Sequence, residues 1–207
     1  CMLVIASVIS LSAAARQHSE ANIEVRYNYE YARPTVDSIK YDSDELLLQL
    51  APDESRFFSV KTEFYDSLVA SPGGSELVGN MMMDALNKTG SIKKDADGKI
   101  TSITINKDDL KDVPQRGVRV NVYKYPEQNS MTVYDATGGQ DKVVYTWDLP
   151  LDEIAWEPGD SVANILGYEC QNATADYHGR HWTVWYAPDI PVADGPWQLC
   201  GLPGLVL

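Results

Sequence analysis

Ile23-Glu24-Val25-Arg26-Tyr27-Asn28-Tyr29-Glu30 alternates apolar or aromatic with polar side chains without a break. That period of two is the mark of a half-buried strand, with Ile23, Val25, Tyr27 and Tyr29 facing a core. The same reading extends outward. Residues 46–50 and 56–60 form a second and third strand around the turn Ala51-Pro52-Asp53-Glu54, and residues 92–94 and 99–106 flank Asp97-Gly98, a dipeptide suited to a type I′ hairpin turn. Further strands are predicted at 118–125, 131–134, 143–148 and 181–186.

Ser75–Lys88 breaks the period. It reads as a helix with Ser75 as N-cap, Gly90 beyond its end, and Leu77, Val78, Met81, Met82 and Leu86 on one face. Core packing is the ordinary role of a run such as Met81-Met82-Met83, and a soft ligand-facing surface through Met82 is the alternative. The expected fold is mainly β: an antiparallel twisted sheet forming a half-open barrel or sandwich, with one short helix.

The chain has 207 residues and a formal net charge of -13. An acidic balance without a basic stripe excludes nucleic acid as a partner. Leu3 to Ala15 runs apolar and then small up to the first charge at Arg16, which reads as the end of a secretory signal peptide over residues 1–15. Residues 16–207 are then one exported domain, expected to continue past Leu207, because Leu205-Val206-Leu207 reads as the start of a strand. In an oxidising compartment Cys170 and Cys200 are expected to form a disulfide, stabilising by about 3 to 4 kcal/mol; two buried thiols are the alternative.

Motifs with chemistry are few. Asp95-Ala96-Asp97-Gly98 places its glycine at the wrong offset for a calcium loop and lacks the closing glutamate. His178 and His181 straddle a turn and strand, so no metal site is predicted from them. No Gly-x-Ser-x-Gly elbow occurs, no catalytic residue is assigned and no cofactor is predicted. Asp148 with Asp152, or Asp189 with Asp194, are candidate carboxylate pairs in a chain rich in such pairs. Trp147, Trp156, Trp182, Trp185 and Trp197 crowd the last third, and the spacing of Trp182 and Trp185 places them on opposite faces of a strand.

Tyr145-Thr146-Trp147, Ile165 through Ala173, Gly179-Arg180 through Tyr186, Ile190-Pro191, Gly195-Pro196-Trp197 and the closing Gly201-Leu202-Pro203-Gly204-Leu205-Val206 follow one another in an order that resembles the GLPGLI family of exported Bacteroidota proteins. The resemblance covers roughly residues 145–207, with Val206 in place of the final Ile. It implies a periplasmic or outer-membrane-associated β-rich protein, often encoded near outer-membrane transport components, with no established activity and no catalytic residue to carry over. Gly201, Leu202, Pro203, Gly204 and Leu205 read physically as a turn followed by a buried strand. The expected function is a non-enzymatic binding, carrier or assembly module for a lipid or other amphipathic ligand, or for an outer-membrane partner, through Arg180, Trp182, Trp185, Trp197 and Met82. The alternative is an envelope hydrolase acting on glycan or peptide through a carboxylate pair near the tryptophans.

Overall fold

The alternation at 23–30 becomes β1 (Ile23–Pro34), which pairs antiparallel with β2 (Ile39–Leu50) in the register Ile23 to Leu50, Val25 to Leu48 and Tyr27 to Leu46. The computed structural model describes residues 20–34, 38–105, 107–136 and 143–207; the signal-like residues 1–15 lie outside these. With β3 (Ser55–Ser59), β6 (Asn121–Tyr125), β7 (Ser130–Ala136) and β8 (Val144–Pro150), β1 and β2 build a six-stranded sheet in the order β1-β2-β3-β6-β7-β8. Every pairing is antiparallel.

A second sheet of four strands, β12-β11-β10-β9, forms from β9 (Glu157–Ile165), β10 (Tyr168–Tyr177), β11 (Arg180–Ala187) and β12 (Leu205–Val206). Its two hairpins turn on Leu166-Gly167 and His178-Gly179, with φ of 54° and 92°, and 50° and 72°. Positive φ at both central residues is the type I′ geometry, whose twist matches that of the flanking strands.

Between the sheets lies the chain from Ile190 to Gly204, which leads into β12 at the edge of the small sheet. Leu46, Leu48, Leu50, Phe57, Val122, Met131 and Val133 of the large sheet bury against Cys200 and Leu205. Ala173, Ala175, Tyr177, Val184 and Tyr186 of the small sheet bury against Leu199, Leu202 and Val206. The closing segment is therefore the shared filling of a two-sheet core, the sandwich form of the expected fold.

The glycine motif makes this filling fit. Gly201 takes φ 92°, a left-handed value that glycine adopts without strain. At Gly204 a Cβ would come within 2.3 Å of the Ala187 carbonyl oxygen, so only glycine lets the chain approach β11 there. Beyond it Leu205 N–H donates to Ile190 O, Val206 N–H to Asp194 O and Leu207 N–H to Trp185 O, at 3.0, 2.9 and 2.9 Å.

Two α-helices are present where one was expected. α1 (Val60–Ala70) starts directly from β3, because Ser59 Oγ accepts the Thr62 N–H at 3.1 Å and caps the helix. The third strand stops at Ser59, and Val60 is the first helical residue. α2 (Gly74–Lys88) matches the expected helix, but its N-cap is Gly73 in left-handed conformation and no side chain caps it. Val78 and Leu86, with half-buried Met81 and Met82, pack with Tyr65, Leu68 and Val69 of α1 and with Leu110 and Val113 in a separate small core. Among the described residues no helix is long and apolar enough to cross a membrane.

The small hairpin of β4 (Ile92–Lys94) and β5 (Ile100–Ile103) departs from the expected type I′ turn. Only Gly98 has positive φ; Gly98 N–H bonds Asp95 O at 3.0 Å and Asp95 N–H bonds Lys99 O at 2.9 Å. This is the three-residue loop in which a left-handed glycine follows a type I turn, and the register shift between Lys93 and Lys94 goes with it.

The expected disulfide is absent: Cys170 and Cys200 are free, buried thiols. Cys170 sits on β10 opposite Ala163, with Sγ 3.6 Å from Tyr168 O. Cys200 is held in the central segment, where Sγ donates to Leu151 O at 3.3 Å. Evenness of number and an oxidising compartment suggested the pair, whereas the fold gives each thiol a backbone carbonyl of its own.

Candidate functional site

The segment Pro196-Trp197-Gln198-Leu199 turns under the open end of the large sheet and leaves a cavity of about 370 Å³. Tyr27, Tyr29, Leu46, Phe57, Val118 and Val120 line one side; Arg180, Trp182, Pro196, Trp197 and Leu199 line the other. β1, β2 and β3 supply Tyr27, Tyr29, Leu46 and Phe57, in the positions that the period of two assigns them, and the irregular segment before β6 supplies Val118 and Val120.

The rings form a connected wall. Tyr27 meets Phe57 edge to face at 6.1 Å, and Trp182 stacks on Trp197 at 5.3 Å with an interplanar angle of 28°. Trp197 also touches Tyr177 and His178 edge-on. Its backbone has φ 53°, a left-handed conformation that costs a bulky residue about 1 to 3 kcal/mol unless its surroundings impose it. Here they do: Leu199 N–H bonds Pro196 O at 3.0 Å to close the turn, and the neighbouring Gln198 is buried, accepting from Tyr177 OH at 3.1 Å. Trp182 is fixed by its own Nε1–H, which donates to Tyr177 O at 3.2 Å.

Three of the five expected ligand-binding residues therefore converge: Arg180, Trp182 and Trp197. Trp185 lies on the opposite face of β11 and stands across from Asn172. Met82 belongs to the helical layer, where it packs as core. Of the candidate carboxylate pair Asp189 and Asp194, Asp194 is occupied by Lys124.

That ion pair went unread in the sequence. Lys124 Nζ donates to Asp194 Oδ1 at 2.5 Å, to Gly195 O at 2.7 Å and to Leu199 O at 3.4 Å, while Ser55 Oγ donates to Asp194 Oδ2 at 2.5 Å. Lys124 is 1 % exposed and Asp194 6 %, so each is buried but fully engaged. The signal was available, because Lys124 falls on the same inward phase as Val122 in β6. A second recess of about 610 Å³ opens beside this pair and beside Cys200. Its buried charges are satisfied from within the protein, which leaves the aromatic cavity as the better candidate for a ligand.

Burial shapes the titration of the site's edges. Desolvation pushes the Tyr27 phenol well above its usual range, the Asp194 carboxylate adding to the effect, and Tyr27 OH donates to Val206 O at 2.7 Å. Tyr177 is raised by burial and by Glu153, which accepts from its hydroxyl. Burial raises the Cys200 thiol while Lys124 opposes the shift, and burial likewise raises Cys170. Neither of these two thiols is primed as a nucleophile by such surroundings. No carboxylate is among the residues lining the aromatic cavity. Among the described residues, no group of three or more His, Cys, Asp or Glu could hold a metal ion.

Residues 178–207 match the model of a family described as a protein of unknown function (Porph_ging). The match spans β11, the closing segment and β12, so it takes in Arg180, Trp182 and Trp197, and it overlaps the later blocks of the GLPGLI resemblance. Among curated proteins no sequence matches. Two solved structures of PNGF-II, in C2 and P21 crystal forms, are similar at 16% identity and a TM-score of 0.46. They cover 88% of this chain but only 24% and 25% of their own, so the chain spans about a quarter of their length. A likeness this distant transfers no activity.

Proposed function

We propose that this protein is a non-enzymatic binding module of the cell envelope that takes up an apolar or amphipathic ligand in the cavity between β1–β3 and the Pro196–Leu199 turn. The observation that carries the reading is the cavity itself: about 370 Å³, walled by Tyr27, Phe57, Trp182 and Trp197, with no carboxylate among its lining residues. That volume lies at the lower end of the roughly 300–1,000 Å³ of small-molecule pockets, and an apolar wall with few polar groups is their usual composition. The signal-like residues 1–15 support an envelope location.

A fluorescent apolar probe, N-phenyl-1-naphthylamine, tests the reading. Titrated into the protein it should bind with a blue-shifted emission; Trp182→Ala and Trp197→Ala should weaken binding at least tenfold, and Trp185→Phe, on the far face of β11, should leave it unchanged. Binding that is absent, or indifferent to both cavity tryptophans, would sink the proposal.

A further inference from the structure

We infer that the ligand is an anionic single-chain amphiphile, a long-chain carboxylate whose head group sits on Arg180 and whose chain lies among Tyr27, Phe57, Trp182 and Trp197; this rests on the binding reading above. Arg180 is the one charged residue among those lining the cavity, and it is exposed at the start of β11. Arg26, Arg56 and Arg116 are each held by a carboxylate, Glu45, Glu63 and Asp66 respectively. Among the described residues no carboxylate pairs with Arg180. A guanidinium presents a planar fork of donors that matches a carboxylate in two parallel hydrogen bonds, which makes it a reader of that head group.

The other polar side chains lining the cavity, Tyr27, Asn28, Tyr29 and Trp182, carry no charge. Tyr27 OH is already committed to the Val206 carbonyl, and Trp182 Nε1–H to the Tyr177 carbonyl. The depth is apolar, through Leu46, Val118, Val120 and Leu199. A volume of about 370 Å³ suits one chain better than the paired chains of a membrane lipid. The net charge of -13 sharpens the point, since an anion approaching this protein meets repulsion except where a cation is presented locally.

Isothermal titration with decanoate, decanol and decylamine at low salt and pH 8 tests the assignment. Decanoate should bind about tenfold more tightly than decanol, and decylamine more weakly than either. Octanoate should bind more weakly than decanoate by about fourfold for each methylene removed. Arg180→Gln should bring decanoate down to the affinity of decanol and leave decanol unchanged, and Arg180→Lys should keep part of the preference. Equal affinities in the wild-type protein, or a preference that survives Arg180→Gln, would overturn the head-group assignment while leaving the cavity a binding site. Failure of all the amphiphiles to bind would overturn both.

Discussion

Trp182 and Trp197 stack their indoles 5.3 Å apart, and Trp197 reaches that position through a left-handed backbone that the turn at Pro196–Leu199 imposes. The ring is set in place before any ligand arrives, so little ordering remains for binding to cost. Trp197 also packs against both core clusters, which ties the cavity wall to the stability of the sandwich.

Trp197→Ala is accordingly expected to do two things at once. It should lower stability by about 2 kcal/mol, less than for a fully buried tryptophan because the ring is half-exposed, and it should open the cavity. Urea denaturation followed by far-ultraviolet circular dichroism checks the first. An unchanged midpoint would show that the stacked ring is not a structural contact.

Lys124→Met leaves the Asp194 carboxylate buried without its cation. The expected loss is about 3 to 5 kcal/mol, whereas Lys124→Met with Asp194→Leu should cost clearly less than the sum of the two single changes. A double-mutant cycle in urea measures the coupling, and simple additivity would contradict the buried pair.

Gly204→Ala sets a methyl group against the Ala187 carbonyl. The closing strand must shift, for an expected loss of about 1 to 3 kcal/mol. Pro203→Ala, at an exposed position two residues after Gly201, should stay within about 0.5 kcal/mol. Hydrogen exchange at the Leu207 amide, which bonds Trp185 O, reports whether β12 has come away.

Alkaline pH should erode the stability of the protein progressively. Tyr27 and Tyr177 are raised above their ordinary 10.0, and the Cys170 and Cys200 thiols above 9.0. Each group holds its proton more firmly folded than unfolded, so the stability it contributes is complete below the unfolded value and is lost as pH climbs from there toward the folded value. Stability should begin to fall near pH 9 and fall more steeply above pH 10. Tyr27→Phe should cost about 1 kcal/mol at neutral pH, through the hydrogen bond to Val206, yet flatten the alkaline limb. Urea midpoints from pH 7 to 11, read beside tyrosinate absorbance, decide it.

The strands of the large sheet were legible from the period of two in Ile23 to Glu30 and again in Asn121 to Tyr125; Val25 and Tyr27 are half-buried and Val122 buried as that period expects, whereas Ile23 and Tyr29 stay exposed at either end of the run. β9 was not, because it is exposed along nearly all its length and offers no alternation of burial, and β10 was missed because the residues it buries include the small Ala173 and Ala175, which mark a strand weakly. α1 escaped because no residue of it is fully buried and its start follows β3 without a break, leaving Ser59 as the sole sign. The cavity was half-legible. Trp182, Trp197 and Arg180 stand out in the closing third, but their partners Tyr27, Leu46 and Phe57 are distant in sequence and only the register of β1, β2 and β3 brings them opposite. Lys124 with Asp194 needed that same long-range pairing, and the presumed disulfide rested on composition, which holds no geometry.

The filling of the sandwich comes from residues 190–207, later in the chain than every strand of the large sheet. Tyr27 waits for Val206, and Lys124 waits for Asp194, before either can satisfy its polar group. Both sheets thus lack their common core until residues 190–207 have joined them, and a fold dominated by such long-range contacts forms slowly. The nascent chain is kept loose by its own topology until β12 pairs with β11.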